Sequence, residues 1–470
     1  MSKTFVIGIF ALVLVATAGI TAFVLSRPTV YPATLAEDVL CDLENTAHMV
    51  IPEQQHMYNG GVPGQFPSLH ITAPLHPFEQ ERNFWHSGTL SLSNHADAFE
   101  DTSIRIRGRG NSTWQATEEK RPLRLRFETP QSLLGSSYIA RDWVLIANHF
   151  DLTLMRTHLA FYLGSLMSGL DWTPSSRLIN LYINGEYMGV YQLTDERDIG
   201  EGRMQLVSNP NPAISEFLFE LDGAAPGSGT EGVDFFFAEG QPYDIRYPRN
   251  DNLSAQHVEY MRIFVEEIAT VLRSRNFEEI AVVMDIDSFI DFYLVQEFFK
   301  NIDVGMSSVF MQVRGQGENR RLYWGPLWDF DRSAGNMYYW YEYTHFHAAV
   351  RNNFMGYLIT TPEIFDMVAA RWVQISDTYI RQMMARAEFY VHHYSYEFYR
   401  NFERFPVWDT SPLWMTRMIP QHLHEITSWS GQMDFLQEWF TGRIWWMNQI
   451  FVEQGELKDW WIDHLNNRGE

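Results

Sequence analysis

Between Ser103 and Phe127 the chain twice alternates apolar residues with arginine. In "SIRIRGRGNSTW", Ile104 and Ile106 alternate with Arg105 and Arg107, and the pattern breaks at Gly108 and Gly110. In "RPLRLRF", Leu123, Leu125 and Phe127 alternate with Arg124 and Arg126. A period of two sends the apolar side chains to one face and the arginines to the other. The stretch is therefore read as two strands joined by a glycine-containing loop, with a buried face and a basic face. Further on, Asn184-Gly185 lies between the runs "RLINLYI" and "EYMGVYQL", the pattern of a two-residue β-hairpin.

Helical spacing interrupts this β-rich half. "DLTLMRTHLAFYLGSLM" places Leu154, Leu159, Leu163 and Leu166 on one face, with Asp151 positioned as an N-cap. The acidic "TDERDIGEG" after the hairpin marks a hinge or lobe boundary. Residues 210–252 are rich in Gly, Pro and Asp, with short strands such as "EFLFELD". Helices are expected at 255–275 and 287–299, the second capped by Asp287 or Ser288. Then come "KNID", a strand "SVFMQVR", a turn "GQGENR", a strand "RLYWG" and the acidic "PLWDFDRSAGN". The remainder reads as mainly helical, with its Trp, Tyr and Met side chains as core. The fold class expected is α+β.

A chain of 470 residues suits a two-lobed domain or two to three domains. Its net charge of -23 repels phosphate backbones, which disfavours nucleic acid as a partner and favours cationic partners and divalent metals. The single cysteine, Cys41, excludes an intrachain disulfide and a Cys-x-x-Cys zinc site. The histidines at 345, 347, 392 and 393 lack partners at clear ligand spacing. Phe5 to Leu25 is an uncharged, mostly apolar run that as a helix would span about 30 Å, one hydrocarbon core. It is read as a retained anchor, or as a signal peptide with Ala16-Thr17-Ala18 as cleavage site. The bulk of the chain is then expected outside the cytoplasm, anchored in the cell envelope or secreted.

The order of these elements carries chemistry. A helix delivers Asp303 on a loop, a hairpin follows, and its exit strand delivers Asp329 and Asp331. Protein kinases build their catalytic half this way, with one aspartate accepting the substrate hydroxyl proton and another holding magnesium on the nucleotide. "GRGNS" can present backbone N–H groups to phosphates, and Arg124 or Arg126 can supply the cation that kinases take from a strand lysine. No GxGxxG, VAIK or HRD motif is present. Each piece also has a plain structural reading: Asp303 as a turn residue, "WDFD" as an aromatic turn, and the arginines as an exposed sheet face.

Five blocks in order, "IRGRGNSTW…KRPLRLRF", "WVLIANHFDLTLMRTHLA", "SRLINLYINGEYMGVYQLTDERD", "DIDSFIDFYLVQEFFKNID" and "GPLWDFDRSAGN", resemble the spore-coat CotH kinase family over roughly residues 100–340. The resemblance implies an atypical protein-kinase-like, two-lobed fold. It also implies ATP with Mg²⁺ (or Mn²⁺ or Ca²⁺), and transfer to Ser/Thr of coat or cell-surface proteins. With the apolar run as an anchor or signal at 1–27 and the Pro- and Gly-rich stretch as a linker at 28–65, the chain divides next into a β-rich nucleotide-binding lobe at 66–200. A catalytic lobe at 201–345 and a helical region at 346–470 follow. Carried over, Asp303 is the catalytic aspartate, Asp329 the metal ligand, and Asp331 and Ser308 further metal positions. Arg107, Gly108, Arg109, Gly110, Asn111, Arg124 and Arg126 fall in the nucleotide half. Three positions depart from the family: Arg126 replaces a common lysine, Ser308 a common asparagine, and Asp195 a common glutamate. They motivate an alternative, a non-catalytic surface or coat-assembly module on the same fold.

Overall fold

The computed structural model describes residues 61–467 except 117–118, 137, 338–340 and 407–420. The apolar run Phe5–Leu25 and nearly all of the linker lie outside these. Among the described residues, no helix is long and apolar enough to cross a membrane.

The first half is a closed seven-stranded barrel, ordered β1-β2-β3-β4-β5-β7-β6. The strands are β1 (Ser68–Thr72), β2 (His86–Ser93), β3 (Phe99–Gly108), β4 (Leu123–Gln131), β5 (Ala140–Ile146), β6 (Ser176–Ile183) and β7 (Glu186–Asp195). β1 closes the circle by pairing parallel to β6, and closure leaves no free sheet edge. The interior takes the apolar set expected from the alternation, including Ile104, Ile106, Leu123, Leu125 and Phe127. Asn184 and Gly185 both adopt positive φ, 50° and 84°, as the hairpin turn requires.

On the other face, the β3–β4 register sets Arg105 opposite Arg126 and Arg107 opposite Arg124. Like charges directly across a ladder repel. Here they are offset by Asp142, paired with Arg126 at 2.8 Å and Arg124 at 3.3 Å, and by Trp85. The Arg105, Arg107 and Arg126 guanidiniums lie 4.5–5.6 Å from the centroid of that ring.

Helix Arg156–Leu166 begins four residues later than an Asp151 N-cap would place it. Leu154 has φ 58°, a left-handed conformation that no helix can include. Asp151 still serves the helix start, since its Oδ2 accepts the Arg156 N–H at 2.8 Å.

The second half centres on an antiparallel sheet of order β12-β11-β8-β10-β9. Its strands are β8 (Phe217–Leu221), β9 (Phe235–Ala238), β10 (Gln241–Tyr247), β11 (Val309–Arg314) and β12 (Arg321–Trp324). Beside it run helices Ala255–Ser274, Phe277–Val283 and Ile286–Phe299. The N-cap of the last is Asp285, whose Oδ1 accepts the Ser288 N–H, rather than Asp287 or Ser288. Ile286–Phe299 is almost wholly buried, as its apolar sequence demands.

Helices Pro362–Ile375, Arg381–Arg404 and Trp429–Asn448 pack around this part of the chain, so the C-terminal region is helical with an aromatic core, as expected. Arg381–Arg404 also grips the barrel. The Asn401 Oδ1 accepts from buried Lys120 at 2.8 Å and from the Val190 N–H at 3.0 Å.

Candidate active site

Two loops meet at an acidic centre. Helix Ile286–Phe299 ends at Lys300, whose left-handed backbone turns the chain into a single 3-10 turn, Ile302–Gly305. Asn301 caps that turn, its Oδ1 accepting the Asp303 N–H at 3.2 Å. The Nδ2 of the same side chain donates to the Asp329 carbonyl at 3.1 Å. Asp329 stands at φ 62° and Ser308 at φ 58°, both left-handed without being glycine. Such backbones cost of order 1–3 kcal/mol each and cluster at functional sites.

The acids perturb one another. Burial and then the neighbouring Asp329 carboxylate push Asp303 up to about 7. The same two causes, with Asp303 added, hold Asp331 well above the usual carboxylate range. Arg332 opposes both shifts, and Arg351 opposes that of Asp303. Ser308 lies beside Asp329, its Oγ 3.5 Å from Oδ2, and its N–H donates to the Glu220 Oε1 at 3.2 Å.

The loop beyond is tied down. Asn336 Nδ2 donates to the carbonyls of Asp331 and Phe150, both at 2.7 Å. The wholly buried Arg156 donates to the Ser333 carbonyl at 2.9 Å while paired with Asp151.

Of the expected nucleotide-side residues, Arg109 interacts electrostatically with this centre. Its guanidinium lies 5.4 Å from the centroid of Trp328, the residue before Asp329, and its charge acts with that of Asp329. Arg197 lies over the same ring at 4.2 Å. Glu196 joins them to the basic strand through an ion pair with Arg124 at 3.3 Å. Burial alone would raise its carboxyl, but Arg197, Arg124 and Arg109 outweigh burial and hold it down at about 2. Arg126 forms two hydrogen bonds to Asp142, and Arg107 donates to Asn83 and stacks on Trp85.

The loop itself is held by Arg82, which donates to the Gly110 carbonyl at 2.7 Å and to Asn111 Oδ1 at 2.8 Å. Gly108 and Gly110 have structural reasons to be glycine. A Cβ on Gly108 would lie 2.4 Å from the Trp114 ring, and Gly110 has φ 79°. Asp195, singled out in the sequence as the substitute for a glutamate, accepts from Tyr138 and from the Ser175 N–H instead. The acid that meets the arginines is the next residue, Glu196.

Glu196, Arg197, Glu220, Arg332 and Arg351 escaped sequence reasoning. Glu196 and Arg197 were within reach, since both stand in "TDERD"; Glu220 is brought in only by the β8–β11 pairing, Phe310 opposite Glu220.

A further device fixes the chain from Tyr341 to His345. The Tyr341 carbonyl accepts from Trp439 at 2.6 Å. Those of Glu342 and Thr344 accept from Lys300 at 2.6 and 2.7 Å. Those of Tyr343 and His345 accept from Arg443 at 2.8 and 2.9 Å. Arg443 is itself paired with Glu297 at 2.6 Å, both fully buried. Five consecutive carbonyls are thus held by three side chains, two of them from helix Trp429–Asn448.

Among the described residues, no three His, Cys, Asp or Glu side chains converge into a ready-made cation cage. What the centre offers is oxygen: Asp329 and Ser308 side by side, with Asp303 and Asp331 within electrostatic reach. That donor set suits Mg²⁺, which takes one or two carboxylates and completes its shell with water and nucleotide phosphates. Carboxylates that raise one another's proton affinity are also what a nearby cation relieves.

Fold and site together define an α+β protein with an acidic centre set between a helix-borne loop and a hairpin-borne loop. The chain belongs to the CotH kinase family: the family model described as CotH kinase protein matches residues 104–447. No curated protein matches it.

Proposed function

We propose that the chain is a metal-dependent, kinase-like phosphotransferase with a two-lobed arrangement, the barrel serving as the nucleotide lobe and the second sheet with its helices as the catalytic lobe. The observation that carries this reading is the juxtaposition of the Asp303 and Asp329 loops, linked through Asn301. With its proton affinity raised to about 7, Asp303 is matched to accept a hydroxyl proton near neutral pH. Asp329, with Ser308 and Asp331, would hold Mg²⁺ or Mn²⁺, which supplies charge neutralisation on the phosphates of ATP. Arg109 and Arg124 are the cations best placed to meet phosphate, and the Arg124–Glu196 pair resembles the Lys–Glu pair by which kinases orient theirs. The acceptor is a Ser or Thr hydroxyl of a protein, with coat or cell-surface proteins as the class implied by the family.

The test is to incubate the full-length chain with labelled ATP and Mg²⁺ or Mn²⁺, and to follow labelling of itself or of a Ser/Thr-rich acceptor. Asp303→Ala and Asp329→Ala should each lower labelling by at least about a hundredfold. Equal labelling by wild type and Asp329→Ala would sink the reading. The mass added to the acceptor separates phosphoryl from nucleotidyl transfer.

A second reading, a non-catalytic binding module, is favoured by one observation: Arg126 is fully engaged by Asp142 and Trp85. Absence of any thermal shift with ATP and metal would select it.

A further inference from the structure

Beside the Asp303 turn lies a small recess open to solvent. Gly305 forms its wall on the Asp303 side, Gln241 and Tyr243 come from the second sheet, and Arg351, Asn352 and Asn353 come from the junction of the short helices Ala348–Arg351 and Asn353–Ile359. The recess is fixed to the acidic centre, since Asn352 Nδ2 donates to the Val304 carbonyl at 3.0 Å. Its two charged lining residues differ in state. Glu239 is paired with Arg273. The Arg351 side chain forms no hydrogen bond or ion pair with any described residue, although it is partly buried and close enough to Asp303 for their charges to interact. Without a side-chain partner of its own, the guanidinium is free to donate to an acceptor entering the recess. Its planar fork matches an oxyanion with two oxygens.

We infer that this recess is an acceptor-side subsite that binds an oxyanion side chain, carboxylate or phosphoryl, flanking the hydroxyl presented to Asp303. The inference rests on the reading of Asp303 as the acceptor-side base. Arg351 is the specificity-determining residue, and Asn353, exposed at the rim, and Gln241 supply neutral donors around it.

The experiment uses the full-length chain and fluorescent serine peptides identical except for one flanking residue, scanned on either side of the serine as glutamate, phosphoserine, glutamine or lysine. Binding is read by anisotropy without nucleotide, and transfer by labelling with ATP and Mg²⁺. At one flanking position the glutamate or phosphoserine peptide should bind about tenfold more tightly than the glutamine peptide. The arm that gains more identifies which oxyanion source the recess favours. Arg351→Gln should abolish the preference, Arg351→Lys should keep part of it, and Arg351→Glu should turn it toward the lysine peptide. Equal binding of glutamate, phosphoserine and glutamine peptides at every position would overturn the inference, even if the chain labels them all. An Arg351-dependent preference in binding without any labelling would uphold the subsite while removing the kinase reading.

Discussion

The side chain of Asn301 donates to the carbonyl of Asp329 at 3.1 Å while accepting the N–H of Asp303 at 3.2 Å, so one amide sets the spacing of the two acidic loops. Asn301→Ala should therefore leave ATP affinity nearly unchanged while lowering kcat about ten- to a hundredfold, because a small misplacement of a base is felt mainly in the transition state. Steady-state kinetics that show only a raised KM for ATP would contradict this role.

The raised proton affinity of Asp303 has a sign in stability. Between its unfolded value near 3.8 and its folded value of about 7, the folded protein holds a proton that the unfolded chain has released. Stability from this group is therefore complete below about pH 4 and is lost as pH rises toward 7. Asp303→Asn, which cannot ionise, should flatten the decline of Tm between pH 5 and pH 8. Thermal melts of the two proteins across that range check it.

A divalent cation should reverse the same penalty. Millimolar Mg²⁺ or Mn²⁺ at pH 7.5 is expected to raise Tm by about 2 °C or more through preferential binding to the folded state. Asp329→Ala should lose the rise. The same shift in both proteins would place the cation elsewhere.

The two strand arginines should separate by phenotype. Arg126, engaged by Asp142 and Trp85, is expected to lower Tm when changed to alanine, with little effect on the KM for ATP. Arg124→Ala, which breaks the pair with Glu196, should raise that KM about tenfold. The opposite assignment would return the nucleotide-side role to Arg126.

Arg443 and Glu297 form a fully buried pair that also organises the segment leading to Arg351. Arg443→Met leaves the buried Glu297 carboxylate without its cation, held by the His347 and Ala349 N–H groups, and should cost about 3–5 kcal/mol in denaturant unfolding. Adding Glu297→Gln should recover part of that loss, since the two residues act as one unit. Additive losses would show that they do not.

Much of this protein was set by its sequence. Period-two alternation at 104–107 and 123–127, together with Asn184-Gly185, determined strands, their buried faces and a hairpin, because local sterics and side-chain period act within a few residues. The order of helix, Asp303, hairpin and Asp329 located the acidic centre for the same reason. Helix starts were less legible: the left-handed Leu154 and the Asp285 cap depend on contacts formed after folding. Tertiary structure alone decided which charges meet. It sent Glu196 rather than Asp195 to the arginines, engaged Arg126 with Asp142, carried Glu220 in from a distant strand, and left the Arg351 side chain without a partner beside Asp303. Electrostatic pairing is short-ranged in space and indifferent to distance along the chain, so no local pattern records it.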